Sequence, residues 1–224
     1  MAELIKMINI KKIYNSGCGT VAALDGINVS INEGEAVAVI GQSGSGKSTL
    51  MNIIGFLDSA TSGEYLLDGS RVSQLNESRL SSLRRDNIGF IFQSFNLIPT
   101  LNAFENTELP LIYRKVPSHI RKKRVLDALE KVGLTDRIKH TPSELSGGQQ
   151  QRVAIARAIA AMPRIILADE PSGNLDPASA KQVTELLRSF APEHTVIMIT
   201  HDIDAAKRMP RQITIKEGKI IKNY

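Results

Sequence analysis

The chain reads as an α/β fold around a mainly parallel sheet, and three observations predict it. Apolar runs with the length of buried strands, Ala36 to Ile40, Ile88 to Phe92, Arg164 to Ala168 and Thr195 to Thr200, alternate with stretches of helical periodicity. The first run leads directly into a glycine-rich turn, Gly41 to Ser48, which opens an amphipathic helix. Another run ends in adjacent carboxylates, Asp169 and Glu170, at the strand end where parallel sheets meet their ligands.

Taken in order, Leu4 to Asn32 alternates in shorter pieces around Asn15-Ser16-Gly17, a pattern that suits antiparallel strands. Lys47 to Leu57 reads as a helix with Leu50, Ile53, Ile54 and Leu57 on one face. The strand at Ile88 to Phe92 ends at Gln93. From Ser94 to Met162 helical periodicity and charge dominate, broken at Pro99, Pro110, Pro117 and Pro142. A last strand is expected at Gln212 to Ile215. These elements predict one domain, in which residues 1–93 and 163–224 form a core and 94–162 a helical lobe inserted between its strands.

Composition narrows the function classes. A chain of 224 residues is long enough to bury a substantial core. Cys18 is the only cysteine, which rules out an intrachain disulfide and fits a reducing compartment. Met1 to Ile10 has no apolar stretch of signal-peptide type, and no run approaches the roughly 20 apolar residues of a membrane span. The net charge of +5 is mild. Its densest source is Arg114, Lys115, Arg121, Lys122, Lys123 and Arg124. Val125, Leu126, Leu129 and Val132 give that segment an apolar stripe, so a solvated helix face explains it; attraction to anionic lipid is the sharper alternative. Nucleic-acid binding is not expected, because there is no Trp and the few aromatics are not interleaved with the basic residues.

Gly41-Gln42-Ser43-Gly44-Ser45-Gly46-Lys47-Ser48 fits G-x-x-x-x-G-K-[ST]. Glycines let successive backbone N–H groups turn onto phosphate oxygens, and the following helix adds unpaired N–H groups and the positive end of its dipole. Lys47 supplies a point charge for the terminal phosphates, the Ser48 hydroxyl a Mg²⁺ ligand and Thr49 a further hydroxyl. Asp169 is suited to hold Mg²⁺ through water. Glu170 points elsewhere and is suited to act as general base on an attacking water. Ser146-Gly147-Gly148-Gln149 begins a second helix, with Ser146 as N-cap and Gln149 completing a capping box. Two glycines in that first turn are poor helix formers, and they suit a second phosphate-seeking helix start. One chain with one nucleotide loop then implies a site completed by another molecule.

Leu145 to Gln149, following the glycine loop and preceding Ile165 to Glu170, resembles the ATP-binding cassette (ABC) ATPases. The resemblance spans the whole chain. Gln93 matches that family's Q-loop, Gly173-Asn174-Leu175-Asp176 its D-loop, His201-Asp202 its H-switch, and Tyr14 the aromatic that stacks on adenine. It implies a P-loop NTPase (RecA-like) core with a small antiparallel β subdomain and an inserted α-helical subdomain, binding ATP and Mg²⁺. It also implies a head-to-tail homodimer around two ATP molecules. Lys47, Ser48, Gln93, Asp169, Glu170 and His201 would act on their own chain's nucleotide, with Ser48, Gln93 and Asp169 at the metal. Ser146, Gly147 and Gly148 would reach the partner's nucleotide, and Asp176 would link the sites. Phe92 to Pro99, Glu105-Asn106, Leu109-Pro110-Leu111 and Ser146 to Ala158 resemble most closely the cassettes of macrolide exporters, lipoprotein-releasing systems and antimicrobial-peptide-response exporters; the cell-division cassette is a near relative. Gln42 and Ser172 depart from the usual proline and threonine.

The expected function is therefore an ATPase subunit that drives a separate integral-membrane permease from the cytoplasmic face of the membrane. The apolar stretch Phe95 to Leu101 is either part of a groove for a permease helix or core of the helical lobe. A soluble ABC ATPase without a permease is the alternative. Its repair and translation types are disfavoured by the short span from Thr49 to Glu144 and by the presence of a single cassette.

Overall fold

The computed structural model describes residues 2–16 and 19–224, and the statements below concern these residues. Gly17 of the expected turn and the lone Cys18 lie outside them. In chain order the elements are β1 (Glu3–Ser16), β2 (Gly19–Asn32), β3 (Ala36–Ile40), α1 (Lys47–Ile54), β4 (Ser62–Leu67), β5 (Ser70–Arg71), α2 (Glu77–Asn87) and β6 (Ile88–Phe92). Three longer helices follow, α3 (Ala103–Tyr113), α4 (Ser118–Lys131) and α5 (Gly147–Ala160), then β7 (Ile165–Asp169), α6 (Pro177–Ser189), β8 (Thr195–Thr200), α7 (Ile203–Ala206), β9 (Arg211–Lys216) and β10 (Lys219–Asn223).

The strands form two sheets. One has the order β2-β1-β4-β5 and is antiparallel; the other has the order β10-β9-β3-β8-β7-β6. In the second sheet β9, β3, β8, β7 and β6 run parallel, and only the β9–β10 edge is antiparallel. The central strands are apolar throughout because both faces are covered. Ala36 and Ala38, Ile166 and Ala168, and Val196 and Met198 face a core shared with α3, α4, α5 and α6. Their alternates Val37 and Val39, Ile165 and Leu167, and Ile197 and Ile199 face a second core with α1 and the antiparallel sheet. The period of two in strand side chains thus divides the interior into two layers.

The helices α3, α4 and α5 pack on one another, and α5 lies against β6. Gly89 in β6 permits that approach: a Cβ there would lie 2.9 Å from the Ala158 carbonyl oxygen and 3.0 Å from Pro163 Cγ.

Several expectations need correction. The helix after the glycine loop stops at Ile54, where Gly55 caps it. A Cβ on Gly55 would collide with the Phe90 ring, and Phe56 turns the chain with φ 57°, so Leu57 leaves the apolar face and is 49 % exposed. Pro110 does not break a helix but lies inside α3. It removes one N–H donor only three residues before the end, and the buried Thr107 and Leu111 keep the helix on its neighbours. The strand expected from Arg164 begins at Ile165, and the Arg164 guanidinium turns out to Glu33 and Asp68. Helix α2 and strands β4, β5 and β10 carry too little apolar periodicity to be read, and in α2 only Leu80 is buried; α6, not among the expected elements, does carry a helical apolar face, with Val183 and Leu187 buried.

Replacing Gly89 with valine forces α5 away from the sheet. The expected loss is about 1–3 kcal/mol in denaturant unfolding, the usual cost of overpacking a filled interior.

Candidate active site

The glycine loop leaves the end of β3 between its neighbours β8 and β9. Gly44 (φ 77°) and Gly46 (φ 105°) hold the left-handed turns that close it, and a Cβ on Gly46 would strike the Ala23 carbonyl oxygen at 2.5 Å. The helix that follows has no side-chain cap and no acidic residue in its first turn. Its first N–H groups and its dipole therefore face the loop unopposed. Of the other long helices, α2, α3, α5 and α6 are capped by the side chains of Asn76, Asn102, Ser146 and Asp176, and only α4, preceded by Pro117, has no side-chain cap. Lys47 is 7 % exposed, and its Nζ donates to the carbonyls of Gly41 and Gln42, both at 2.8 Å. The Ser45 hydroxyl is buried with no partner.

Ser43, Gly44, Gly46, Lys47, Ser48 and Thr49 share a cavity of about 760 Å³ with Asp169, Glu170 and His201, and Val21, Ala22 and Ala23 form its far wall. Gly41 lies beneath it, packed against Ser45 and the Ile215 carbonyl. The cavity therefore joins a nest of backbone donors, one lysine, the strand-end carboxylates Asp169 and Glu170, and the hydroxyls of Ser43, Ser48 and Thr49, with Glu217 also in its lining. Ser48 and Asp169 are hard oxygen donors at one wall, a set that fits Mg²⁺ shared with phosphates. Among the described residues no cluster of three or more His, Cys, Asp or Glu side chains forms a protein-only metal cage.

Asp169 is the last residue of β7, paired across to Phe92 and Ile199. Glu170 follows with φ 47°, a left-handed conformation that costs a non-glycine residue energy and is held by its N–H donating to the Ile199 carbonyl at 2.9 Å. The turn aims its carboxylate at β8. His201 Nδ1–H donates to Oε1 at 2.8 Å, and the Thr200 hydroxyl donates to Oε2 at 3.3 Å. The His201 side chain is otherwise 70 % exposed. Burial pushes the Asp169 carboxyl above the usual range, the neighbouring Glu170 raises it further, and Lys47 opposes both.

Gln93 and Tyr14, expected at the chain's own nucleotide, do not line this cavity. Gln93 is exposed; its Nε2 donates to Asn174 Oδ1 at 3.1 Å, its side chain packs on Gly173, and Asn174 Nδ2 donates back to its carbonyl. It thus bridges the Q-loop and D-loop segments. Tyr14 projects from β1 opposite Val21. Its hydroxyl donates to Asp58 Oδ2 at 2.7 Å, and Lys12, which binds the same carboxylate, stands 4.9 Å from the ring centroid. One face of the ring is taken by the ammonium.

The second helix start forms as read: Ser146 Oγ accepts from Gln149 N at 3.3 Å, and Gln149 Oε1 accepts from Ser146 N at 3.0 Å. Ser146, Gly148 and Gln149 line a separate cavity of about 380 Å³ with Arg137, Arg152 and Ser179, and none of its residues lines the loop cavity. Gly148 has a reason within the chain, since a Cβ would lie 2.9 Å from Ser179 Oγ; Gly147 has none that close. Asp176 caps α6 by accepting from the N–H groups of Ala178 and Ser179.

Gln151 and Asp58 carry no sequence signal that singles them out. Gln151 on α5 is fully buried, and its Nε2 donates to the Pro171 carbonyl at 2.8 Å and the Phe92 carbonyl at 3.4 Å. It ties α5 to the residues flanking Glu170 and Gln93. Only its place in the helical register, facing inward where a polar residue is unexpected, hints at this.

The raised Asp169 carboxyl predicts a stability–pH dependence. Its neutral form is favoured in the folded chain, so its contribution is present below the ordinary carboxylate value and is lost as pH rises through the raised one. Asp169→Asn should raise the unfolding temperature of the nucleotide-free protein at pH 8 and change it little near pH 4, as read by thermal melts.

A family model described as "ABC transporter" matches residues 24–173. The macrolide export ATP-binding/permease protein MacB of Brucella melitensis is 53 % identical over 221 residues, covering 98 % of this chain but 34 % of MacB. The chain thus spans about a third of that relative's length. An uncharacterized ABC transporter ATP-binding protein of Bacillus subtilis, YvrO, is 49 % identical over 97 % of the chain and 96 % of its own length. Among solved structures, the dimeric post-hydrolysis state of the ATP-binding cassette MJ0796, bound to ADP and Pi, superposes with a TM-score of 0.88 at 44 % identity over 99 % of this chain and 98 % of that one. MJ0796 is from Methanocaldococcus jannaschii. CbiO1 of Clostridium perfringens, part of the complex cbiONQ, gives 0.90 at 30 % identity over 100 % and 88 %. With its loop cavity, acidic strand end and helical layer in place, this chain belongs to the ABC transporter family as its ATP-binding cassette, an ATPase module.

Proposed function

We propose that this chain hydrolyses ATP as one of two identical cassettes that close head to tail on two ATP molecules and drive a separate membrane permease. The observation that carries this reading is the presence of two helix starts suited to phosphate in separate cavities of one chain, only one of which has a lysine and the strand-end carboxylates Asp169 and Glu170, whereas the other is lined by Asp136, Arg137 and Arg152. A second copy would bring its Ser146, Gly147, Gly148 and Gln149 to the nucleotide held by the loop. The resemblance to a dimeric cassette supports this.

In the proposed mechanism the N–H groups from Ser43 to Thr49 hold the phosphates, and Lys47 leaves the Gly41 and Gln42 carbonyls to pair with the terminal phosphate. Ser48 and Asp169 would hold Mg²⁺, joined by Gln93 once it leaves Asn174 and swings to the cavity, and the ion when bound would neutralise phosphate charge. The Glu170 carboxylate takes a proton from the attacking water, while His201 and Thr200 fix its orientation. Tyr14 offers its free ring face to the adenine, and Asp176 communicates with the other site. Residues 94–162 move as a lobe against a core of 1–93 and 163–224.

A cleft of about 510 Å³ lies between the two, lined mainly by apolar groups including Leu57, Phe90, Phe92, Leu109, Pro110 and Tyr113, with Arg157 at its side. It is a better seat for a permease helix than Phe95 to Leu101. Leu97 there packs into the core, and the carbonyls of Phe95 and Asn96 are bound by Arg157. Among the described residues no helix is long and apolar enough to cross a membrane, so work at the cytoplasmic face would depend on that partner. Likeness to MacB supports macrolide export, while lipoprotein release and antimicrobial-peptide efflux rest on the sequence resemblance alone.

Glu170→Gln keeps an oxygen for His201 but removes the base. It should bind ATP normally and lose about 10²–10⁴-fold in turnover. Near-normal hydrolysis would contradict the role of Glu170. Trapped with ATP, this variant should also retain one polytopic protein from detergent-solubilised native membranes; recovery of the cassette alone would favour a soluble ATPase.

A further inference from the structure

We infer that the end of α3 and the start of α4 form a contact surface for an anionic lipid bilayer. Between Leu109 and Leu126 the chain carries six basic residues and no acidic one. The remainder holds 22 basic residues against 23 acidic, so this segment supplies the whole net positive charge. Two of the six are used within the fold. Arg114 binds the carbonyls of Ala161 and Arg85, and Arg121 pairs with Glu108 at 2.7 Å. Lys115, Lys122 and Lys123 are exposed and have no ion pair or side-chain hydrogen bond.

The buried stripe of α4, Val125, Ala128 and Leu129, faces α3 and α5, which leaves His119, Lys122 and Lys123 on the outer side of its first half at helical spacing, with the exposed Asp127 and Glu130 following only in the second half. Beside them, large apolar side chains stand in solvent: Tyr113 is 76 % exposed, Ile112 46 % and Ile120 37 %. An aromatic with a polar tip, aliphatic side chains and unpaired lysines on one surface is the composition that lies in a membrane interface. A purely solvated face accounts for the lysines but not for the exposed Ile112 and Ile120, neither of which lines the cleft. The surface is also continuous with the cleft proposed for the permease, which Tyr113 and Arg114 help to line. A cassette docked there would present these lysines to the headgroups. The orientation rests on that reading, whereas the lipid contact is measured without the permease.

The test is flotation of the purified chain with vesicles of phosphatidylcholine alone or with about a third phosphatidylglycerol. Binding is expected only to the anionic vesicles, and it should disappear at high salt. Lys122→Glu/Lys123→Glu should weaken it at least about tenfold, since each basic residue near such a surface contributes about 1 kcal/mol. Its solution ATPase rate should be unchanged. Lys216→Glu/Lys222→Glu makes the same charge change on the β9–β10 edge and should bind nearly as the parent. Absence of binding to anionic vesicles, or equal loss in both double variants, would overturn the proposal. So would lysines needed for permease capture in a chain that ignores the vesicles, which would assign the surface to protein instead.

Discussion

Parallel pairing of β3 with β8, and of β8 with β7, is the constraint on which the site depends. Strands that run the same way end at the same edge, so residues far apart in sequence converge. The loop leaving Ile40, the turn leaving Asp169 and the turn leaving Thr200 open on one cavity. The register sets the detail: Asp169 stands opposite Ile199, and the next backbone N–H, that of Glu170, closes on the Ile199 carbonyl. That bond keeps the chain in the left-handed turn that delivers the Glu170 carboxylate to His201. A one-residue slip of β7 would exchange its two faces and remove both carboxylates from the loop.

The helical layer is joined to this edge by a few polar bonds as well as by apolar packing. Gln151 holds the carbonyls beside Gln93 and Glu170, and Arg157 holds those of Phe95 and Asn96, two residues with positive φ. Both side chains project from α5, the helix that begins at Ser146. The helix start at Ser146 and the turns that carry Gln93 and Glu170 are therefore linked through α5. A displacement of α5 against the sheet is transmitted to both turns through bonds of ordinary length, a physical route by which nucleotide state and lobe position can be linked.

The sequence made the parallel core legible because its strands are short and apolar and end in polar signals, Gly41, Gln93, Asp169-Glu170 and His201. Four of them, at Ala36, Ile88, Ile165 and Thr195, were located to within a residue. The capping box at Ser146 was legible from spacing alone, whereas the missing side-chain cap before Lys47 shows only in the structure. What stayed hidden was set by tertiary contact. Leu57 leaves its helix because Gly55 must clear Phe90, and Pro110 is tolerated because Leu111 is buried. Gln93 turns to Asn174 and Tyr14 to Asp58, partners 81 and 44 residues away. The polar helix α2 and the edge strand β10 lack apolar periodicity, so no local pattern distinguishes them from loop.

The central claim is that one chain holds two incomplete halves of a site. Sedimentation velocity of the Glu170→Gln protein tests it most directly. The account predicts a monomer without nucleotide or with ADP, and a dimer with ATP. Gly147→Asp should block that dimer while leaving ATP binding at the loop intact, because an added Cβ meets nothing closer than Leu175 Cδ2 at 3.6 Å. A chain that saturates with ATP and remains monomeric, or a Gly147→Asp protein that dimerises as readily as its parent, would contradict it.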